Sequence, residues 1–188
     1  MSKVRQNWNR ILNWYKANVP SREIQLSPGV DESAIEHFET ILGTELPEDV
    51  RETYLLYDGT ANTGILPYGY DVSRLQQVEK DWSRWCAWAE SGSFDQMKPH
   101  PVGPVKPNWW NAKWVPITSN GSGDHDFIDL DPDVGGRLGQ VVEFNHETGP
   151  RCVSAVSFGD WLEQFADSLN AGRYRYDAEE LNLLPIDE

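Results

Sequence analysis

The feature that most restricts the fold is a change of hydrophobic period midway along the chain. Before it, apolar residues recur at helical spacing. After it come WVPIT, DFIDL, QVVEF and RCVSAVSF, short segments rich in β-branched and aromatic residues and separated by Gly, Asn, Asp or Pro clusters. That is the pattern of an antiparallel meander. Within it Ile128 with Leu130, and Val142 with Phe144, supply the buried parity, which sets Phe127, Asp129 and Asp131 on the opposite face.

The first half divides into helices. Val4, Trp8, Ile11, Leu12 and Tyr15 form one stripe that Pro20 stops, and a polar linker with Ser27, Pro28 and Gly29 follows. Asp31 is placed to cap a second helix carrying Ile35, Phe38 and Leu42, which Gly43 ends. Pro47 suits the first turn of a third, running to about Tyr57 and ending at Gly59. GILPYGY reads as a short strand or a loop. Ser73 and Gln76 match a capping box for a helix presenting Leu75, Val78, Trp82, Trp85, Cys86 and Ala89 on one face, to near Gly92. Pro99, Pro101, Pro104 and Pro107 exclude a central strand or long helix between Phe94 and Asn111, leaving a long surface loop. Ser157 and Asp160 cap a final helix through Phe158, Leu162, Phe165 and Leu169 to Gly172. The pattern predicts a single α+β domain with an antiparallel four- to six-stranded sheet and helices around it. Its core spans 30–169, with an N-terminal helix and linker over 1–29 and a polar tail over 173–188 that either packs weakly or frays.

Charge narrows the partners. Sixteen Lys and Arg against 30 Asp and Glu give a formal net charge of -14, the wrong sign for nucleic acid or an anionic membrane surface. A protein with a basic face is the expected partner. Cys86 and Cys152 are far apart, without metal-ligand spacing, so reduced core thiols are expected. The N-terminus lacks a signal peptide's apolar run, and no run approaches the ~20 apolar residues of a membrane span. These features predict a cytoplasmic protein.

The stretch SNGSGDHDFIDLDPDVGGRLGQ concentrates Asp124, Asp126, Asp129, Asp131 and Asp133 around His125. Asp129, Asp131 and Asp133 match the first ligand positions of a calcium loop. Val134 then stands where the sharp turn needs Gly, and Gln140 where a bidentate Glu belongs. His146-Glu147 lacks the second His of a zinc-protease motif, and Gly121-Ser122-Gly123 is no nucleophile elbow. No metal, cofactor or catalytic set is therefore predicted, and the carboxylates become candidates for meeting a basic partner. Nine tryptophans are present, of which Trp109 and Trp110 are adjacent in the Pro-rich loop. They either anchor a partner or pack against a sheet edge or the first helix.

ESAIEHFETILGTELPEDVRETYLLYDG, WVPITSNGSGDHDFIDLDP with GRLGQVVEFNHE, and VSFGDWLEQFADSL together resemble the SUKH superfamily, the Smi/Knr-type cell-wall assembly regulator family. The resemblance covers about Val30 to Leu169 and implies the same α+β fold. On it Trp114, Pro116, Asn120, Gly121, Gly123, Asp124, Phe127, Asp129, Asp131, Gly139 and Gln140 are fold signature. It also implies a non-enzymatic protein-binding role. With the charge, the expectation is an immunity protein that neutralises a cognate toxin, a nuclease among the candidates. The alternatives are a regulatory or scaffold protein linked to cell-wall synthesis and a metal-dependent enzyme using residues 124–133.

Overall fold

The helical stripe at the N-terminus and the strand-rich second half meet around one sheet. The computed structural model describes residues 1–19, 24, 26–60, 64–177, 179 and 182–186. In chain order it contains α1 (Lys3–Asn18), β1 (Leu26–Pro28), α2 (Glu32–Leu42), α3 (Glu48–Leu56), β2 (Tyr57–Thr60) and β3 (Asp71–Val72). Then come α4 (Leu75–Glu90), β4 (His100–Val102), β5 (Trp114–Pro116), β6 (Thr118–Ser119), β7 (His125–Asp129) and β8 (Gln140–Phe144). The chain closes with β9 (Pro150–Ala155), α5 (Phe158–Asn170), β10 (Tyr174–Asp177) and β11 (Asn182–Pro185). The architecture is α+β.

The main sheet has five strands in the order β4-β9-β8-β7-β5. It is mixed, which corrects the expectation of a purely antiparallel sheet: β5, β7, β8 and β9 pair antiparallel, while β4 runs parallel to β9. The added strand comes from the Pro-rich segment expected to be a surface loop. Pro101 cannot donate to a ladder, and an edge strand tolerates that. Asp129 pairs with Gln140 and Asp126 with Glu143, so the two glycine-rich turns of the acidic stretch bracket β7.

Both faces of the sheet are covered, and this changes the parity argument. Ile128 and Val141 enter a core with Trp8, Ile35, Phe38 and Leu162 from the helices. Phe127, Val142 and Phe144 join a second cluster with Trp85, Val105 and Trp110. A strand buried on both sides has no solvent face, so Phe127 and Asp129 are fully buried rather than outward-facing. Trp114 stacks on Phe127 at 4.3 Å between centroids, in the second cluster.

Local signals explain most helix ends, with shifts where tertiary bonds win. Gly43 ends α2 at φ 66°, a left-handed turn that a side chain disfavours. Glu48 and Asp49 in the first turn of α3 complement its dipole, and Asp49 also accepts the Gly159 N–H at 2.7 Å, tying α3 to the start of α5. α3 stops at Leu56 rather than running on, because the chain turns extended at Tyr57 to pair with β1. Gly59 therefore lies inside β2, at φ 74°, where a Cβ would sit 2.6 Å from the Val72 carbonyl oxygen. The capping box at Ser73 and Gln76 is not used: α4 starts after Arg74, and Asp58 accepts the Leu75 N–H at 2.8 Å. Ser157 does cap α5, its hydroxyl accepting the Asp160 N–H at 3.2 Å.

α1 packs along α5 and against α3. The expected stop at Pro20 lies outside the described residues, as do Ala178, Glu180, Leu181, Asp187 and Glu188 of the tail. The rest of the tail does not fray. β10 and β11 form a hairpin, and Leu183 is fully buried in the helical core.

Candidate functional site

The acidic stretch is built mainly as architecture, carboxylate by carboxylate. Asp124 accepts the backbone N–H of His146 at 2.9 Å and its ring Nδ1–H at 2.8 Å, together with the Asn120 amide at 2.9 Å. Burial opposes its ionisation, but these bonds outweigh that and hold the carboxyl below its usual range. Asp129 has no exposed surface and accepts from Trp114 Nε1 at 3.2 Å, Gln140 Nε2 at 2.9 Å and the Asp131 N–H at 2.9 Å. Its carboxyl is pushed up by burial. Asp131 accepts from Lys106 Nζ at 2.5 Å and from Asn111 at 3.0 Å, and these hold it low. Asp133 is exposed and accepts the Val134 N–H at 2.7 Å.

His125 is buried too. The Thr118 carbonyl can only accept, so Nδ1 carries the proton in their 2.6 Å bond, and Trp85 Nε1 donates to the bare Nε2 at 3.3 Å. Both nitrogens are satisfied by the neutral ring, and burial lowers the imidazole pKa accordingly. Trp109 and Trp110 are buried at 7% and 6% exposure and pack inward, Trp110 against α4 and the face of the sheet and Trp109 against Phe94 and Arg151, rather than against a sheet edge or the first helix. Trp110 stacks on Trp85 at 5.4 Å, and Trp109 covers the guanidinium of Arg151. Among the described residues no group of three or more His, Cys, Asp or Glu is placed to hold a metal ion. Each of these acids faces its own donors instead.

Asp126 stands apart. It lies on the same sheet face as Ile128, and its directly opposed partner Glu143 continues the face of Val141. Here a groove of about 480 Å³ opens between the sheet, α5 and the 66–70 turn. Asp126 and Glu143 line it from the sheet side. Tyr68, Tyr70, Trp161, Phe165 and Tyr174 line it from the other elements. Tyr68 is the one non-glycine residue with positive φ among those described, at 60°, and it is exposed. Such a backbone conformation is strained for a bulky side chain, and strain of this kind gathers at binding sites.

Like charges directly across an antiparallel pair destabilise it. Asp126 is half-buried, its one side-chain donor among the described residues being Thr118 Oγ1 at 3.2 Å, and burial and then the Glu143 charge push its carboxyl up to about 7. Tyr70 is raised by burial and then by the charges of Asp124, Asp126 and Glu143. A second cavity, of about 630 Å³, lies on the other side of His125. Its acids have donors of their own: Asp81 contacts Arg84 at 3.1 Å and Gln77 at 3.0 Å, and Asp71 accepts from Thr60 Oγ1 at 2.6 Å and from the Gly64 N–H at 3.0 Å. The first groove holds two carboxylates directly opposed across the strands, with no cation within ion-pairing distance among the described residues, which singles it out.

Sequence reasoning placed Asp126 among the surface acids but missed Glu143 and the tyrosines. Glu143 falls opposite to the buried parity of Val142 and Phe144, so an alternating strand hides it on the polar face. The β7–β8 register, set by the 130–139 turn, is what brings it beside Asp126.

The unmatched pair gives a pH prediction. In the unfolded chain Asp126 ionises near its ordinary 3.8, in the folded protein near 7. Between these values the folded state holds the extra proton, so stability falls as pH rises through the window. Asp126→Asn is expected to flatten that slope and to stabilise the protein by on the order of 1 kcal/mol at about pH 8, after allowance for partial exposure. Urea unfolding across the range checks it, and an unchanged slope in the variant would refute the assignment.

These elements define the protein's class: a SUKH-type α+β domain, whose acidic signature strand is locked by Trp114 and Gln140. The sequence model of the SMI1/KNR4 family (SUKH-1) matches residues 29–164, and the chain belongs to this family. Among its relatives, the cell wall biosynthesis/cell cycle regulator smi1 of Schizosaccharomyces pombe is 28% identical over 96% of this chain and 39% of its own length. The cell wall assembly regulator SMI1 of Saccharomyces cerevisiae is 23% identical, over 89% of this chain and 40% of the relative. The glucan synthesis regulatory protein of Neurospora crassa is 23% identical, over 98% and 42%. The chain thus spans about two fifths of the length of these relatives. They are named as regulators of the wall and of glucan synthesis, and this overturns the expectation of an immunity protein that neutralises a toxin. The family's helical and strand signature does not separate the two roles, so the residues that carried the resemblance could not choose between them. No helix among the described residues is long and apolar enough to cross a membrane.

Proposed function

We propose that this chain is a non-enzymatic, protein-binding regulatory domain that acts in the control of cell-wall and glucan synthesis from the cytoplasm. The observation that carries the reading is the match to fungal wall and glucan regulators over 89 to 98% of the chain. The formal charge of -14 supports a protein partner with a basic face over nucleic acid or an anionic membrane. The commitment of both His125 nitrogens to hydrogen bonds within the fold supports binding over catalysis.

A chimaera tests it. The chain replaces the segment it matches in the Schizosaccharomyces pombe regulator, in a strain lacking that protein. Resistance to wall-digesting enzymes is expected to recover in part. A well-expressed chimaera that performs no better than an empty vector would sink the proposal.

A further inference from the structure

We propose that the groove over Asp126 and Glu143 receives an arginine side chain from a partner protein, the guanidinium seated on the paired carboxylates and held between the tyrosine rings. The inference deepens the partner-binding reading above and rests on it, while assigning the site and the chemistry of what enters.

The argument starts from charge. Asp126 and Glu143 are directly opposed across β7 and β8, a placement that brings Cβ atoms to about 4.5–5.5 Å and costs stability between like charges. Elsewhere in the acidic stretch such costs are relieved locally. Lys106 meets Asp131, and His146 meets Asp124. For Asp126 and Glu143 no cation is within ion-pairing distance among the described residues, so the pair is complementary to a charge the domain does not itself supply.

The walls then select the kind of cation. A divalent metal needs several converging oxygen ligands, whereas here rings make up much of the lining. Tyr70 is near enough to Asp126 and Glu143 for their charges to act on its hydroxyl. Tyr68 stands exposed at the rim, its turn pinned where its N–H bonds to the Leu183 carbonyl at 3.3 Å. Trp161 is half-buried on α5, stacked on Phe158 at 5.4 Å and so held in place before anything binds. Aromatic faces beside carboxylates suit a planar, weakly hydrated cation that can stack and fork at once. Arginine does both, while a lysine ammonium is a compact point charge that gives up more hydration to enter. A cavity of about 480 Å³ has room for such a side chain and the backbone on either side of it. The net charge of -14 would draw a basic segment toward the domain before docking.

The test uses the whole chain and a capped peptide, Gly-Ser-Ala-Arg-Ala-Ser-Gly, with citrulline or lysine replacing arginine in two controls. Binding is followed by nitrogen-15 NMR. The arginine peptide is expected to shift the Trp161 indole and the Tyr70 and Asn145 amides. The uncharged citrulline peptide is expected to leave them in place, and the lysine peptide to bind several-fold more weakly. Glu143→Gln, at an exposed position that does not endanger folding, is expected to weaken arginine binding by about tenfold, and Asp126→Asn with Glu143→Gln to abolish it. Equal binding of the citrulline peptide, shifts confined to residues outside the groove, no binding at millimolar peptide, or a double variant that binds normally would each overturn the assignment. Lysine binding as tightly as arginine would overturn the guanidinium preference. The regulatory reading fails separately: a double-variant chimaera that loses the peptide yet restores wall resistance would remove this groove and leave that reading standing.

Discussion

Asp129→Ala is expected to destabilise the protein by about 3–5 kcal/mol, a large part of the ~5–15 kcal/mol that a domain of this kind has in total. The carboxylate is fully buried and joins segments far apart in sequence: Trp114 from β5, Gln140 from β8, and the turn that begins at Asp131. Gln140 reaches on to the Pro104 carbonyl at 3.0 Å, so the same network fixes the Pro-rich segment against the sheet. Removing the acceptor leaves an indole N–H, one hydrogen of the Gln140 amide and a backbone N–H without partners where water does not reach. Each costs roughly 1–3 kcal/mol, and relaxation of the turn recovers part of the sum. Asp129→Asn keeps one acceptor and is expected to cost less than half as much. Its deficit has a pH signature. Burial raises the folded pKa of Asp129 above the ordinary range, so wild-type stability falls as pH rises from that range through the raised value. Asparagine does not titrate, and the gap between the two proteins should narrow with rising pH. Denaturant unfolding measures both effects, and an alanine variant within 1 kcal/mol of wild type would show the network to be incidental.

The same residue shows how far the sequence could be read. The strand around Asp129 was legible because Ile128 and the β-branched run fix its period, and its flanking glycines mark its turns. Its burial was not legible. Alternation assigns one face to water only when something leaves that face open, and here α4 and the segment containing Trp109 and Trp110 cover it. That cover is tertiary, formed by residues that are not sequence neighbours of β7. Helix ends fared better where the signal was complete within one turn, as at Gly43 and Ser157. They shifted where a distant partner intervened, as when Asp58 took the Leu75 N–H that the Ser73 box was expected to organise. The groove shows the same limit. Asp126 was visible as an acid near a turn, but its opposition to Glu143 depends on strand register, and the tyrosines reach it from other parts of the chain.

Arg151 carries the other large expected effect. It is fully buried, yet among the described residues no carboxylate pairs with it. Its Nη1 donates to the carbonyls of Asn145, Thr148 and Pro150 at 3.3, 2.9 and 2.8 Å, and Nη2 to that of Trp109 at 3.3 Å. The guanidinium carbon lies 4.7 Å from the Trp109 ring centroid and 4.2 Å from that of Phe144. Burial lowers the pKa to about 10, which still leaves the group charged at neutral pH. Carbonyl dipoles and ring faces therefore stand where an acid would be, and the cation joins the β8–β9 turn to the Trp109 segment. Arg151 alternates with Val153 on the face of Phe144 and Val142, so strand parity pointed it inward; its charge argued the other way. Arg151→Ala is expected to cost about 4 kcal/mol, from the cavity, the freed carbonyls and the lost stacking together. Arg151→Met separates the causes. Methionine refills much of the volume but offers no donors, and Arg151→Lys keeps the charge but cannot span the four carbonyls. Both are expected to lose about 2–3 kcal/mol, with faster hydrogen exchange over residues 145–150 and a changed near-ultraviolet tryptophan signal. If methionine held stability within 1 kcal/mol of wild type, packing alone would account for Arg151, and the guanidinium would have no part in holding the second core to the sheet.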